Sequence, residues 1–304
     1  EFGKNRADRL QPVMQEAYRL AYIRKPEFMG NTRTEEKDPK FKVISDLPWC
    51  EQEINERLAA YRQLSDKVEQ EWHALPAQKK ETYFQLVKYP VQAAAQMNNK
   101  LLTAQLARHG KADWADSDRA YDSIVSLTKT YNTTKWNRMM DFQPRRLLVF
   151  NRVERKALSS GLLEKPQAVY TWNGADCVEG ASVICEGLGY EGKAVAVEKK
   201  KELTFEFAAW ETDSVEVEVR LLPNHPVEGE RLRFTISLDG SATEAVSYET
   251  KGRSEEWKEN VLCNQAVRRM ILPVARKASH RLIFTALDEG VVLDQICLYM
   301  PRIK

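Results

Sequence analysis

Along the first half of the chain, apolar residues recur every three or four positions. From Leu10 onward Val13, Met14, Ala17, Leu20 and Ala21 fall on one face, the spacing of an amphipathic helix laid on a core. That helix is expected to stop near Arg24-Lys25-Pro26, because the residue before a proline is driven out of helical geometry. Residues 29–48 are charged and rich in turn formers without periodicity, which reads as an ordered connector pinned by Leu47-Pro48-Trp49. A second helix is predicted to start among Glu51 and Glu53, acids suited to a helix N-terminus, with Ile54, Leu58, Tyr61, Leu64, Val68 and Trp72 as its core stripe. After Leu75-Pro76 a third, long helix carries Tyr83, Val87, Val91 and Ala95, and a kink is expected at Pro90. Gly110 stops it, and Trp114, Tyr121, Ile124, Val125, Thr128 and Tyr131 mark a fourth helix. Short connections between them predict an up-and-down bundle.

Beyond about Lys165 the period changes to two. Leu203, Phe205 and Phe207 alternate with polar residues, as do Val215 to Leu221 and Leu232 to Leu238, and further strands are expected near 243–248, 282–287 and 291–299. Leu222-Pro223-Asn224-His225-Pro226 and Asp239-Gly240 supply turns between them. About eight or nine short strands with no helix among them predict an antiparallel, jelly-roll-like β-sandwich. The expected fold class is multidomain α plus β: a helical bundle over residues 1–141, then a lead-in segment and the sandwich over 142–304.

A length of 304 residues agrees with two domains. Lys plus Arg (46) nearly balance Asp plus Glu (44), so no excess of positive charge favours nucleic acid as a partner. No apolar run approaches the length of a membrane span. The chain opens on Glu1 rather than methionine, which reads as an internal start. Cys50, Cys177, Cys185, Cys263 and Cys297 are odd in number and never form a CxxC pair; a zinc knuckle is not expected on that spacing, buried thiols are the plainer reading, and one or two disulfides stay open.

The local signatures of common enzyme classes, GxSxG, HExxH, GxGxxG and the phosphate-binding loop, are missing. His73, His109, His225 and His280 have no metal-ligand spacing. Asp239-Gly240 and Asp288-Glu289-Gly290 offer oxygens to calcium, but shaping a tight corner is the plainer role for such residues. No catalytic residue, metal or cofactor is therefore expected within the chain. Flat aromatic faces stack on sugars, and Trp136, Trp172 and Trp257 lie near predicted loops or element ends, although each is also a candidate for core packing. Lys135-Trp136-Asn137-Arg138-Met139-Met140 is the densest mixture of aromatic, cationic and amide groups. Two readings apply there: glycan contact through Trp136, Asn137 and Arg138, and an interdomain plug filled by Trp136 and the methionines, which is favoured.

The same stretch resembles a motif in the later half of glycoside hydrolase family 115, the xylan α-1,2-glucuronidases. Arg24-Lys25-Pro26-Glu27 and Gln85-Leu86-Val87-Lys88-Tyr89-Pro90-Val91 resemble that family's helical signatures in the same order. Gly187-Leu188-Gly189-Tyr190, Leu222 to Pro226, Leu238-Asp239, Trp257-Lys258-Glu259-Asn260-Val261 and Val291 to Ile296 resemble its C-terminal domain. Arg138 stands where the motif often has His. The resemblance implies an inverting hydrolase that removes glucuronic acid or its 4-O-methyl ether from xylan with carboxylates on a catalytic barrel. It places this chain after that barrel and points to N-terminal catalytic domains as partners, to dimerisation through the bundle, and to a periplasmic or secreted location. The alternatives are a non-catalytic carbohydrate-binding module using Trp172 or Trp257, and a protein-interaction module.

Overall fold

The computed structural model describes residues 3–33, 36–158, 160–180 and 183–301. They fall into two compact units, 1–165 and 166–304. Residues 142–165, read from sequence as a lead-in to the sandwich, belong to the helical unit. The apolar side chains of Val149 and Val153 explain this, because both are buried in its core.

In the first unit, α1 (Lys4–Ile23) packs on α2 (Glu51–His73), α2 on α4 (Tyr89–Arg108), and α4 on α5 (Trp114–Asn132). A short helix α3 (Ala77–Tyr83) runs into α4 through a π-helical turn, Phe84–Lys88. The kink expected at Pro90 takes this form: proline has no amide for the carbonyl four residues back, and a wider turn absorbs the break. Leu10, Val13, Leu20, Tyr61, Leu64, Val68, Tyr83, Val87 and Val91 make one core cluster, and Ile54, Leu101, Leu102, Leu106 and Ile124 belong to a second. α1 ends where predicted, with Arg24 extended. The buried guanidinium of Arg57 then donates to the Leu20 and Arg24 carbonyls at 3.0 and 2.8 Å and to Asn98 Oδ1 at 2.7 Å. The Arg24 carbonyl past the helix end is thereby paired, and the Leu20 carbonyl, which also accepts from the Arg24 amide, gains a second donor.

The second unit is a sandwich of two antiparallel sheets. One has the order β2 (Val183–Glu186), β3 (Lys193–Ala196), β11 (Val292–Tyr299), β5 (Ser214–Leu221), β9 (Ala266–Pro273), with β1 (Tyr170–Asn173) also pairing with β11. The other has β4 (Glu202–Ala208), β10 (Ser279–Ala286), β6 (Arg233–Leu238), β7 (Ser241–Ala242), with β8 (Val246–Ser247) on β6. From β3 to β6 and again from β9 to β11 the chain changes sheet at every step, the winding of a jelly roll. The alternating residues named from sequence are its interior: Phe205, Val217, Val219, Phe234, Ile236 and Phe284 are at most 1% exposed. Phe234 stacks on Phe284 at 5.1 Å.

Two expectations are corrected. Among the described residues there are eleven strands, and a helix α6 (Glu255–Cys263) interrupts them. Ser254 caps α6 by accepting from the Trp257 amide, Glu255 and Glu256 occupy its first turn, and Asn264 ends it in left-handed geometry. These are ordinary helix boundary signals, hidden by the strand-rich surroundings.

Candidate functional site

The turn after α5 is built by side chains that close on the backbone. Thr133 and Thr134 donate to the Thr130 and Tyr131 carbonyls at 2.7 Å. The Asn132 amide then spans the loop, donating to the Met140 carbonyl at 2.9 Å and accepting from its amide at 3.4 Å. Within that loop Arg138 adopts φ 64°, a left-handed geometry that costs an L-residue about 1–2 kcal/mol. Lys135 Nζ lies 5.3 Å from the Trp136 ring centre. Asn137 and Arg138 are exposed, as are Met139 (60%) and Met140 (36%). The methionines, read from sequence as filling for a joint, face solvent. Trp136 is half-buried, and its Nε1 is buried without a protein acceptor.

The other tryptophan candidates sit elsewhere. Trp172 on β1 faces the sandwich interior, stacked on Tyr170 at 5.3 Å and packed against Phe205 at 5.6 Å. It is half-buried and packs against the core cluster, because alternate β1 side chains point inward and this one is large and apolar. Trp257 is half-buried in the first turn of α6 rather than in a loop. The five sequence candidates therefore occupy three separate elements, and of the five only Asn137 and Arg138 are exposed.

Two of the carboxylates considered for calcium, Asp239 and Asp288, are engaged by partners within the protein. Asp288 takes a bidentate pair from Arg233 at 2.8 and 2.9 Å, and those hydrogen bonds hold its carboxyl below the usual range. Asp239 accepts from His280 Nδ1 at 2.8 Å and from the Arg281 amide at 3.1 Å. Neither retains the uncompensated oxygens a calcium site requires. Among the described residues no three His, Cys, Asp or Glu side chains converge as a metal site would need. An open cleft of about 430 Å³ near Asp288 sets Lys199, Arg231 and Arg233 against Glu228, Glu230 and Asp288, a balanced lining with no preference for charge.

Several groups that sequence reasoning missed are buried and polar. Asp294 (1% exposed) accepts from the Tyr190 amide at 2.9 Å and Gln265 Nε2 at 2.8 Å. Asn224 donates to the Gly290 carbonyl and accepts from Tyr248 Oη at 3.4 Å. The Gly189-Tyr190 and Pro223-Asn224 motifs thus pin loops to β11 and to its lead-in. In the helical unit Asp46 pairs with Arg108 and with His109, whose Nε2 is 2.6 Å from Asp46 Oδ2. Partners 63 positions apart leave no local signal.

Residues 181–304 match the glycosyl hydrolase family 115 C-terminal domain. No match is found among curated proteins. Among solved structures the chain is similar to the family 115 4-O-methyl-α-glucuronidase BtGH115A, described as specific for decorated arabinogalactans, with 61% identity and a TM-score of 0.94. That likeness covers 97% of this chain and 39% of the glucuronidase, so the chain spans well under half of that relative. A family 35 carbohydrate-binding module from an environmental isolate is 9% identical (TM-score 0.35), covering 43% of this chain and 93% of the module. The module of Cellvibrio mixtus lichenase 5A, solved with cellotriose, is 13% identical (TM-score 0.34), covering 45% of this chain and all of the module.

Proposed function

The chain belongs to glycosyl hydrolase family 115, and from that premise we propose that it is the accessory, C-terminal portion of a hydrolase that removes (4-O-methyl-)glucuronic acid from a plant glycan. The observation that carries this reading is the 61% identity sustained over 97% of the chain to a 4-O-methyl-α-glucuronidase. Catalysis is assigned to residues outside this chain: a glycosidase needs two carboxyl groups facing one another across a sugar, whereas Asp239 lies 3.5 Å from Lys277 Nζ and Asp288 is paired with Arg233. For substrate we favour decorated arabinogalactan over xylan, because that is the specificity described for the 61%-identical relative.

The test is to assay the full-length gene product on 4-O-methylglucuronate-decorated arabinogalactan and on glucuronoxylan, with this chain alone beside it. Release of the uronic acid from the first glycan only, and none by the chain alone, is the expected result. Turnover by the chain alone would overturn the accessory assignment, and preference for xylan would overturn the substrate.

We assign glycan contact to the exposed Asn137 and Arg138 rather than to Trp172 or Trp257. Charge-assisted hydrogen bonds contribute about 1.5–3 kcal/mol, so Arg138→Ala in the full-length enzyme is expected to raise KM about tenfold or more. Its melting temperature should stay unchanged, since the side chain is exposed. Unaltered kinetics would remove Arg138 from the site.

A further inference from the structure

We propose that the cleft at one end of the sandwich, in which Lys199, Glu228, Glu230 and Arg231 surround the Arg233–Asp288 pair, is a binding site for a neutral saccharide. It lies wholly within the second unit, and its walls are loops held in place by the protein itself. After β5 the Leu222 to Pro226 motif carries two prolines, whose rings fix their own φ. Between them the Asn224 side chain donates to the Gly290 carbonyl and accepts from Tyr248 Oη at 3.4 Å. Tyr248 is 2% exposed, so this anchor is buried. The loop then runs against Gly290, which has φ +91° and no side chain: a Cβ there would lie 2.8 Å from Val227 Cγ2 and 3.3 Å from the Val227 nitrogen. From the loops after β3 and β10, the Lys199 amide donates to Glu289 Oε1 at 3.2 Å and the Leu287 amide to the Arg233 carbonyl at 2.9 Å. Walls fixed before a ligand arrives lower the ordering cost of binding it.

Arg233 holds Asp288 through Nε and Nη2 at 2.8 and 2.9 Å, which leaves the other N–H groups of the guanidinium for other acceptors. Around this pair the lining side chains are unspent. Among the described residues no side-chain hydrogen bond or ion pair engages Lys199, Glu228, Glu230 or Arg231, and all four are exposed.

The charges in the cleft select the class of ligand. Lys199, Arg231 and Arg233 stand against Glu228, Glu230 and Asp288, so no net field draws an ion of either sign. The lining has no aromatic ring on which a nucleobase could stack and no apolar side chain for a lipid. What it offers is donors and acceptors side by side. A hydroxyl group donates and accepts at one atom, so a ring with hydroxyls on neighbouring carbons satisfies ammonium, guanidinium and carboxylate together while carrying no charge. The volume of about 430 Å³ falls within the range of about 300–1,000 Å³ usual for small-ligand sites, which suits a short saccharide. In the glycan assigned above, the matching part is the neutral galactan chain rather than the uronic acid. That choice of sugar rests on the proposed function, whereas the neutral class rests on the cleft alone.

The test is isothermal titration calorimetry of the full-length gene product with galactotriose and xylotriose, the neutral chains of the two candidate glycans, and with an acidic galacturonic acid trimer. Saturable binding of galactotriose is expected, and Arg231→Ala and Glu230→Ala should each weaken it about tenfold or more, the effect of losing a hydrogen bond from a charged group. Both side chains are exposed, so the melting temperature of each variant should match wild type. Binding of neither neutral saccharide overturns the proposal, and so does binding that both substitutions leave unaltered. Tighter binding of the acidic trimer, lost in Arg231→Ala, overturns the neutral class. Binding of xylotriose alone, lost in the variants, supports the site and overturns the choice of galactan. A protein that binds galactotriose as expected yet releases no uronic acid from arabinogalactan strikes the proposed function and leaves the cleft assigned.

Discussion

Raising the pH from about 7 to 10 is expected to stabilise the helical unit by up to about 4 kcal/mol, and Lys100→Met is expected to abolish that gain. Lys100 is fully buried, and its ammonium has two backbone carbonyls and the Tyr121 ring beside it. Burial pushes its pKa down to about 7, against 10.5 for an ordinary lysine. Between those values the unfolded chain holds a proton that the folded chain has shed, so stability rises with pH across the window and levels off above it. A methionine has no charge to desolvate, but it leaves the Val149 and Asn151 carbonyls without a donor at every pH. Wild type and variant should therefore lie closest near pH 6 and furthest apart near pH 10. Urea unfolding followed by far-UV circular dichroism at pH 6, 8 and 10 reads this directly, and parallel pH trends in the two proteins would show that Lys100 is not the group responsible.

In the sandwich, Gly189→Ala should cost about 3 kcal/mol or more, while Asp294→Asn should be close to neutral. Gly189 has φ +91°, and a Cβ there would lie 2.4 Å from Asp294 Oδ1 and 3.0 Å from the Ala194 Cβ. The backbone conformation alone costs an L-residue about 1–2 kcal/mol. The contact would also push a buried carboxyl off the Tyr190 amide and Gln265, leaving polar groups unpaired at about 1–3 kcal/mol. Asparagine keeps an acceptor for Tyr190, and Gln265 can present its oxygen to the new amide. Burial raises the Asp294 carboxyl above its usual range, in spite of the Gln265 and Tyr190 hydrogen bonds. The folded state thus holds its proton to higher pH than the unfolded chain, and this group's contribution favours folding at low pH and is lost as pH rises past the folded value. Asn has no such dependence. Thermal unfolding of both variants at neutral pH decides the matter, and a Gly189→Ala protein as stable as wild type would mean that the turn has room the structure does not give it.

Helix boundaries were legible where a single residue carries the physics. Pro26 ends α1, and the acids at Glu51 and Glu53 start α2 where the pattern placed it. Strands with strict alternation, β4, β5 and β6, were legible because one face of each carries buried apolar side chains and the other mostly polar ones. β9 was not, because it is an edge strand whose consecutive Arg268 and Arg269 erase the alternation. β1, β2 and β3 are four residues each, too short to display a period. For the candidate site, the sequence singled out the Trp136 turn but could not tell filler from surface. Exposure of Met139 and Met140 depends on what packs around the turn, and periodicity carries no information about that.

The sequence by itself determined the helical half, the alternating interior of the sandwich and the family resemblance, since each is written in residues close together along the chain. Tertiary structure alone decided that residues 142–165 belong with the helices, that Trp172 packs against the sandwich core, and that Asp46 meets His109 while Asp294 meets Tyr190 and Gln265. The physical reason is the same in each case: a buried polar or aromatic group is defined by its partners, and these partners come from distant parts of the chain that only packing brings together.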